Sequence, residues 1–352
     1  MDSKLLGPIL VMRNLIYACV FRSKEYITLF EYLAKSIALY GEVPEDVDFI
    51  VITQPDFEED ILRSASGIPR VSTRLLTVDS VFESSRAKLH IFNYDLSEYT
   101  KILYLDTDIV VNEPIGRLFS IDIDPTKLYG LQEGTISHAH WGGDTPLFDL
   151  TKIDGNTSAF CAGVLLFCNS VQMKELFAEI NAHINLDIYE KKIPIPGCLE
   201  QPYINYGAIM KGAYDNQLLR PYVMNNPIHI QNGISIYHFP GGPGWYWKKL
   251  PAIKIFFRSM QGTRELSPRL MGKTYHWGLE DQENTITFQP GNLVTYFGEV
   301  RNAGPYQILN ENTVEILFGG WYHILVFNDS LTAFTSIRKV DFQITSCRIK
   351  ND

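Results

Sequence analysis

Apolar positions along this chain follow two patterns: unbroken runs separated by amphipathic stretches up to residue 265, and short alternating runs from residue 276 onward. The runs at residues 14–20 (NLIYACV) and 47–53 (VDFIVIT) read as buried strands, because a strand covered on both faces has no polar side. Between them, residues 26–40 put Ile27, Phe30, Leu33, Ala34, Ile37 and Ala38 at helical spacing. Residues 74–78 suggest a short third strand, and residues 83–94 a helix leading into the strand 101–106, whose Ile102 to Leu105 segment is wholly apolar. Further on, 109–111 extends the pattern and 128–157 reads as irregular. Residues 159–167 (AFCAGVLLF) predict a buried strand, and 171–184 and 200–210 predict helices. Alternating strands and helices imply an α/β class, a mixed, mainly parallel sheet with its ligand crevice at the carboxyl ends of the strands. The run His238-Phe-Pro-Gly-Gly-Pro-Gly244 suits neither a helix nor an interior strand, and its glycines would let backbone pack against a ligand.

The runs TITFQ, LVTYF, TVEILF and WYHILVF, with Gly319-Gly320 as a hairpin turn, predict a separate antiparallel β module over residues 276–352. The expected division is therefore 1–265 and 276–352, with Trp277, Trp321, Tyr322 and Phe327 packed in the core of the second part. No internal repeat is visible.

With 352 residues, 45% of them hydrophobic and 20% charged, the chain has the composition of a folded globular protein. A formal net charge of -9 gives no bulk attraction for nucleic acid or an anionic membrane, so a phosphate-bearing substrate needs a local device such as a bound cation. Five scattered cysteines without C-x-x-C spacing point to reduced thiols and a cytoplasmic setting. The apolar patch at residues 5–12 is interrupted by Gly7-Pro8, and no run is long enough to span a bilayer.

Asp106-Thr107-Asp108 follows directly on the buried strand 101–106. Two carboxylates one residue apart at a strand end repel each other unless a cation neutralises them, and hard oxygens suit Mn²⁺ or Mg²⁺. Asp46-Val-Asp48 and Asp122-Ile-Asp124 repeat the spacing without that context, and His138-Ala-His140 reads as a surface loop.

Six segments, in order, resemble glycosyltransferase family 8, the retaining enzymes that include the glycogenin and bacterial galactosyltransferase branches. They are Val20-Phe-Arg-Ser23-Lys-Glu-Tyr26, Lys88-Leu-His90, Asp106-Thr107-Asp108, Phe160-Cys-Ala162-Gly163-Val-Leu-Leu166, Leu199-Glu200-Gln201 and His238-Phe-Pro-Gly241. The resemblance spans residues 14–250 and implies a GT-A-like nucleotide-sugar domain. It implies that Val20, Ser23 and Tyr26 hold uracil, and that Asp106, Asp108 and His238 ligate the metal with Thr107 beside them. It places Lys88, Ala162 and Gly163 near the donor sugar and diphosphate. It assigns the chemistry to Gln201, near the anomeric carbon, with Lys88 and Glu200, and puts Gly241 and Lys248 or Lys249 by the diphosphate. The sequence departs from the family at Cys161, where Asn is usual, at Glu200, where Asp is usual, and at Gly244, which takes the place of a Lys.

The expected function is metal-dependent, retaining transfer of a hexose, glucose or galactose type, from a UDP-sugar to a hydroxyl on a glycan or glycoconjugate acceptor. Two alternatives are a sugar-phosphate nucleotidyltransferase, disfavoured because Arg22-Ser23-Lys24 lacks the glycines of its phosphate loop, and a carbohydrate-binding protein of weakened catalysis. Donor sugar, acceptor and oligomeric state stay open.

Overall fold

The computed structural model describes residues 12–138, 140–141, 149–227, 230–241, 246–278, 284–290, 293–296, 299–318 and 321–350. Two compact units emerge, Met1–Pro227 with Gln231–Ile253, and Ile228–Ile230 with Lys254–Asp352. The first unit contains, in order, β1 Arg13–Val20, α1 Lys24–Tyr40, β2 Val47–Thr53, α2 Glu58–Ser64, β3 Val71–Leu75, α3 Val81–Arg86, β4 Tyr99–Leu105 and β5 Ile109–Val111. It continues with α4 Gly116–Phe119, β6 Leu128–Thr135, β7 Ser158–Cys168, α5 Val171–Ile184, α6 Gln201–Met210, β8 Tyr214–Asp215, β9 Val223–Asn225 and β10 Ile236–His238.

Seven of these strands form one sheet in the order β3-β2-β1-β4-β7-β6-β8. β3, β2, β1 and β4 run parallel, and β7 runs antiparallel between β4 and β6. The chain leaves β1 toward β2 and β3 and returns on its other side as β4, so a crevice opens at the carboxyl ends of β1 and β4. Both faces are covered, which explains the unbroken apolar runs. Ile16, Ala18 and Val20 pack with Phe30, Leu33 and Ile37 of α1, while Leu15 and Tyr17 pack with Phe167, Met173 and Phe177 on the opposite face. A second, three-stranded sheet has the order β5-β10-β9.

Several expectations need correction. The helix expected at 83–94 ends at Arg86, and Ala87–Asn93 tightens into a 3-10 turn that buries Lys88, whose carbonyl accepts from the Tyr17 hydroxyl at 3.0 Å. The stretch expected to be irregular opens with strand β6. Its strand signal is broken by Gly130 and Gly134, which are small because the Phe160 and Trp141 rings lie where a Cβ would stand. His238 ends the middle strand of the smaller sheet, and the chain-breaking Pro240 and Gly241 come after it. The sequence reading also missed a 25-residue helix, α7 Tyr246–Leu270. Pro251 and Pro268 obscure its signal, yet Ile253, Phe256, Phe257 and Met260 are all buried at helical spacing.

In the second unit, eight strands close a barrel: β11 Thr274–Trp277, β12 Thr285–Gln289, β13 Leu293–Tyr296, β14 Glu299–Asn310, β15 Thr313–Phe318, β16 Trp321–Phe327, β17 Ala333–Arg338 and β18 Ile344–Ile349. Each pairs antiparallel with the next, and β18 returns to β11. Tyr275 lies at the centre, its ring 5.2 to 6.0 Å from those of Phe334, Phe327 and Phe288. Leu266 and Leu270 of α7 join the same core. Trp277 and Phe327 are buried, but Trp321 and Tyr322 are 49% and 53% exposed, against the expectation that all four pack inside. Gly319-Gly320 and residues 5–11 lie outside the described residues. Among the described residues no helix is long and apolar enough to cross a membrane, and all five cysteines are free.

Candidate active site and metal centre

A cleft of about 720 Å³ opens where β1 and β4 end. The turn after β1 contributes Phe21 and Arg22, the end of β4 Asp106, Thr107 and Asp108, and β7 Cys161, Ala162 and Gly163. The start of α6 adds Glu200 and Gln201, β10 adds His238, and α7 adds Lys249. Arg22 holds a left-handed φ of 76°, uncommon for a non-glycine residue, and its N–H donates to Gln54 Oε1 at 2.8 Å.

Asp106 sits where it does because β7 runs antiparallel to β4, and its N–H donates to the Gly163 carbonyl at 2.8 Å. Asp108 is met from β10: Phe239 N–H donates to the Asp108 carbonyl at 2.9 Å, and His238 Nε2 lies 3.3 Å from Asp108 Oδ1. Asp106, Asp108 and His238 can each offer one ligand atom within 4.8 Å of the others. A Cβ on Gly163 would stand 2.5 Å from His238 Nε2 and 3.0 Å from Asp106 Oδ2, so a side chain there would fill the space these groups share. Asp108 Oδ1 is buried and accepts no hydrogen bond among the described residues. Two carboxylates and one imidazole converging on one buried space fit a hard or borderline divalent cation.

Cationic side chains flank this trio. Lys249 Nζ contacts Asp108 Oδ2 at 2.5 Å. Burial alone would raise the Asp108 carboxyl, but Lys249 and His238 hold it well below the usual carboxylate range. Burial and the adjacent Asp108 charge push Asp106 up against the pull of Lys88. For His238, burial disfavours the cation, yet Cys161 and Asp108 outweigh it and leave the imidazole well above its ordinary value.

Lys88 is 3% exposed and gathers three acceptors. Its ammonium is 2.8 Å from Glu200 Oε1, 3.2 Å from the Ala162 carbonyl and 3.4 Å from Asp106 Oδ1, and it lies 4.6 Å from the Tyr104 ring centroid. Glu200 is thus engaged with Lys88. Gln201 Oε1 accepts from Ala162 N–H at 3.0 Å, and its Nε2 donates to the His140 carbonyl at 3.1 Å, so both ends of the amide are fixed at the cleft wall. Behind it, buried Asn205 exchanges two hydrogen bonds with the backbone of Phe160, tying α6 to β7.

The other expected contacts divide. Tyr26, Thr107, Ala162, Gly163 and Gly241 line the cleft. Val20 lies between the lining residues Cys19 and Phe21 but packs in the core on the α1 side, its carbonyl accepting from the Thr53 hydroxyl at 2.7 Å, and Ser23 stands at the N-cap of α1. Of the two lysines considered, Lys249 reaches the site, whereas the Lys248 ammonium lies 4.9 Å from the Trp247 ring centroid. Gly244 falls outside the described residues. The sequence reading missed Asn205 and also Asn225, whose Oδ1 lies 2.9 Å from His238 Nδ1, and Glu133, whose Oε2 accepts from Asn225 Nδ2 at 3.1 Å; these are lone polar residues on separate elements that share no spacing.

The family model of glycosyl transferase family 8 matches residues 84–206. Among solved structures, the galactosyltransferase LgtC in complex with donor and acceptor sugar analogues is 14% identical, with a TM-score of 0.46 over 68% of this chain and 95% of that one. Apo mouse xyloside xylosyltransferase 1 is 10% identical, with a TM-score of 0.46 over 65% of this chain and 98% of that one. The apo bifunctional glycosyltransferase WbbM is 15% identical, with a TM-score of 0.47 over 74% of this chain and 52% of that one. No curated protein sequence matches. The matched stretch, residues 84–206, is the one that carries Lys88, Asp106, Asp108, Gly163 and Gln201, and over it the chain is similar to glycosyl transferase family 8.

Proposed function

We propose that this chain is a metal-dependent, retaining glycosyltransferase that moves a hexose from a UDP-sugar to a hydroxyl of a glycan or glycoconjugate, in the cytoplasm. The observation that carries the reading is the meeting of Asp106, Asp108 and His238 in one cleft, each able to offer a ligand atom within 4.8 Å of the others. Mn²⁺ or Mg²⁺ held by these three would supply Lewis-acid stabilisation to the departing diphosphate. Everything else falls to the chain's own groups. Lys249 and Lys88 place two cations beside an acidic pair, in a protein whose net charge of -9 would otherwise repel a diphosphate. Tyr26, Phe21 and Arg22 also line the cleft, where a flat base such as uracil can stack on an aromatic ring. Glu200 keeps Lys88 in place, and the clamped Gln201 amide presents a neutral dipole to a sugar carbon that becomes oxocarbenium-like as its bond to the diphosphate breaks. Among the described residues, every group lining the cleft belongs to the first unit, so we assign the barrel to acceptor presentation or assembly.

The test is UDP release across a panel of UDP-sugars with Mn²⁺. At least one sugar should give release that is abolished by EDTA and by Asp108→Asn. Undiminished release in excess EDTA would overturn the metal role.

A further inference from the structure

His238 can offer a cation only one ring nitrogen, and its neighbours determine which. Nε2 faces Asp108 Oδ1 and the space beside Gly163. Nδ1 faces the side-chain amide of Asn225, 2.9 Å from its Oδ1; the two residues are register partners in the parallel pairing of β9 and β10. Oxygen and nitrogen of an amide are nearly alike in shape, so its orientation must be read from its other partner. That partner is Glu133 on β6, whose Oε2 lies 3.1 Å from Asn225 Nδ2. A carboxylate only accepts, so the amide turns its NH₂ to Glu133 and its oxygen to His238. The oxygen in turn only accepts, so Nδ1 must carry a hydrogen. When His238 gives up its second proton, the lone pair is therefore left on Nε2, facing the carboxylates. Cys161 Sγ, 3.6 Å from Nδ1, could by itself favour the opposite tautomer by donating S–H, but the shorter and stronger amide contact opposes it.

We propose that Glu133 and Asn225 are positioning residues that fix the tautomer and ring direction of His238 for cation binding. The proposal rests on the metal-dependent reading above. Partners of this kind behind a ligating histidine typically alter metal affinity by about 10–100-fold.

Mn²⁺ alone, titrated into the full chain with free ion followed by electron paramagnetic resonance, provides the test. Asn225→Leu keeps the side-chain size but removes the acceptor, and it should weaken Mn²⁺ binding by about 10–100-fold. Asn225→Ala serves the same purpose if the leucine variant is insoluble. The decisive protein is the exchanged pair, Glu133→Gln with Asn225→Asp. It conserves net charge and restores the relay, the new amide donating to the new carboxylate and the carboxylate accepting from Nδ1. Its Mn²⁺ affinity should return toward the wild-type value, an effect that a merely structural role would not produce. Wild-type affinity in Asn225→Leu, or an exchanged pair no better than Asn225→Leu, would overturn the proposal while leaving the metal site standing. A wild-type protein that binds no Mn²⁺ would remove both.

Discussion

Gly163→Ala tests the geometry of the site with a single methyl group. In the middle of a strand, replacing glycine by alanine ordinarily stabilises by roughly 0.5–1 kcal/mol, because glycine has more freedom to lose. Gly163 is not among the residues with positive φ, so the backbone itself would accept alanine. The surroundings would not. The added Cβ would stand 2.4 Å from His238 Cε1 and 2.5 Å from Nε2, whereas carbon atoms in contact settle at about 3.5–4.0 Å. The imidazole must therefore move by about 1 Å. The strand that carries it is paired on both sides, so the ring must swing and give up its contact with Asn225. Overpacking of this kind costs about 1–3 kcal/mol and reverses the usual sign of the substitution. The methyl also occupies the space between Nε2 and Asp106 Oδ2, so Mn²⁺ affinity should fall by at least the roughly 10–100-fold expected when a ligating histidine loses its support. Urea unfolding and Mn²⁺ titration on the same preparation measure both effects. If Gly163→Ala is as stable as the wild type and binds Mn²⁺ equally well, the cation does not sit among Asp106, Asp108 and His238.

Lys88→Met leaves Glu200 buried opposite an apolar tip and should cost about 3–5 kcal/mol in urea unfolding, the usual result of removing one partner of a buried pair; a loss below about 1 kcal/mol would mean that Glu200 finds another partner. Gln201→Ala should lower kcat with little change in donor KM, because its amide is proposed to act as the glycosidic bond breaks; normal turnover with a much weaker donor KM would make it an ordinary binding contact. Since Cys161 and Asp108 hold the His238 proton against burial, a cation must displace it, so Mn²⁺ affinity should rise with pH above the ordinary histidine value. The metal-free protein behaves in the opposite sense. The raised value contributes stability that is fully present below the unfolded histidine pKa and is lost as pH climbs through the folded one. Thermal melts from neutral to alkaline pH, with and without Mn²⁺, would expose a wrong sign by showing Mn²⁺ affinity flat or falling.

The parts of this site legible in the sequence were those whose signal is local. Asp106 and Asp108 were visible because an apolar run ends on them, and Gly163 because a glycine inside a buried strand marks a place where another group comes close. Asn225, Glu133 and Asn205 were invisible because each acts across the fold, on a residue 13 to 92 positions away, and polar singletons carry no period. Helix α7 was hidden by two prolines, although its buried face follows helical spacing. Strand β6 was hidden by glycines whose small size answers to the rings of Phe160, on another strand, and Trp141, beyond the strand's own end. In the β module, alternation marked the strands but could not separate half-exposed Trp321 and Tyr322 from buried Phe327, since all three belong to one aromatic-rich run.

The ring of eight strands is completed by its most distant members, because Tyr275, His276 and Trp277 pair with Ile349, Arg348 and Cys347. Every other seam joins strands adjacent in sequence and can form as a hairpin soon after the chain emerges. The last one cannot. Until residues 344–349 are synthesised and in place, β11 and β17 each offer an unpaired row of N–H and C=O groups, the kind of open margin on which strands of separate chains pair. Assembly of this module therefore carries its greatest risk of self-association just before completion, and closure of the β11–β18 seam ends that exposure.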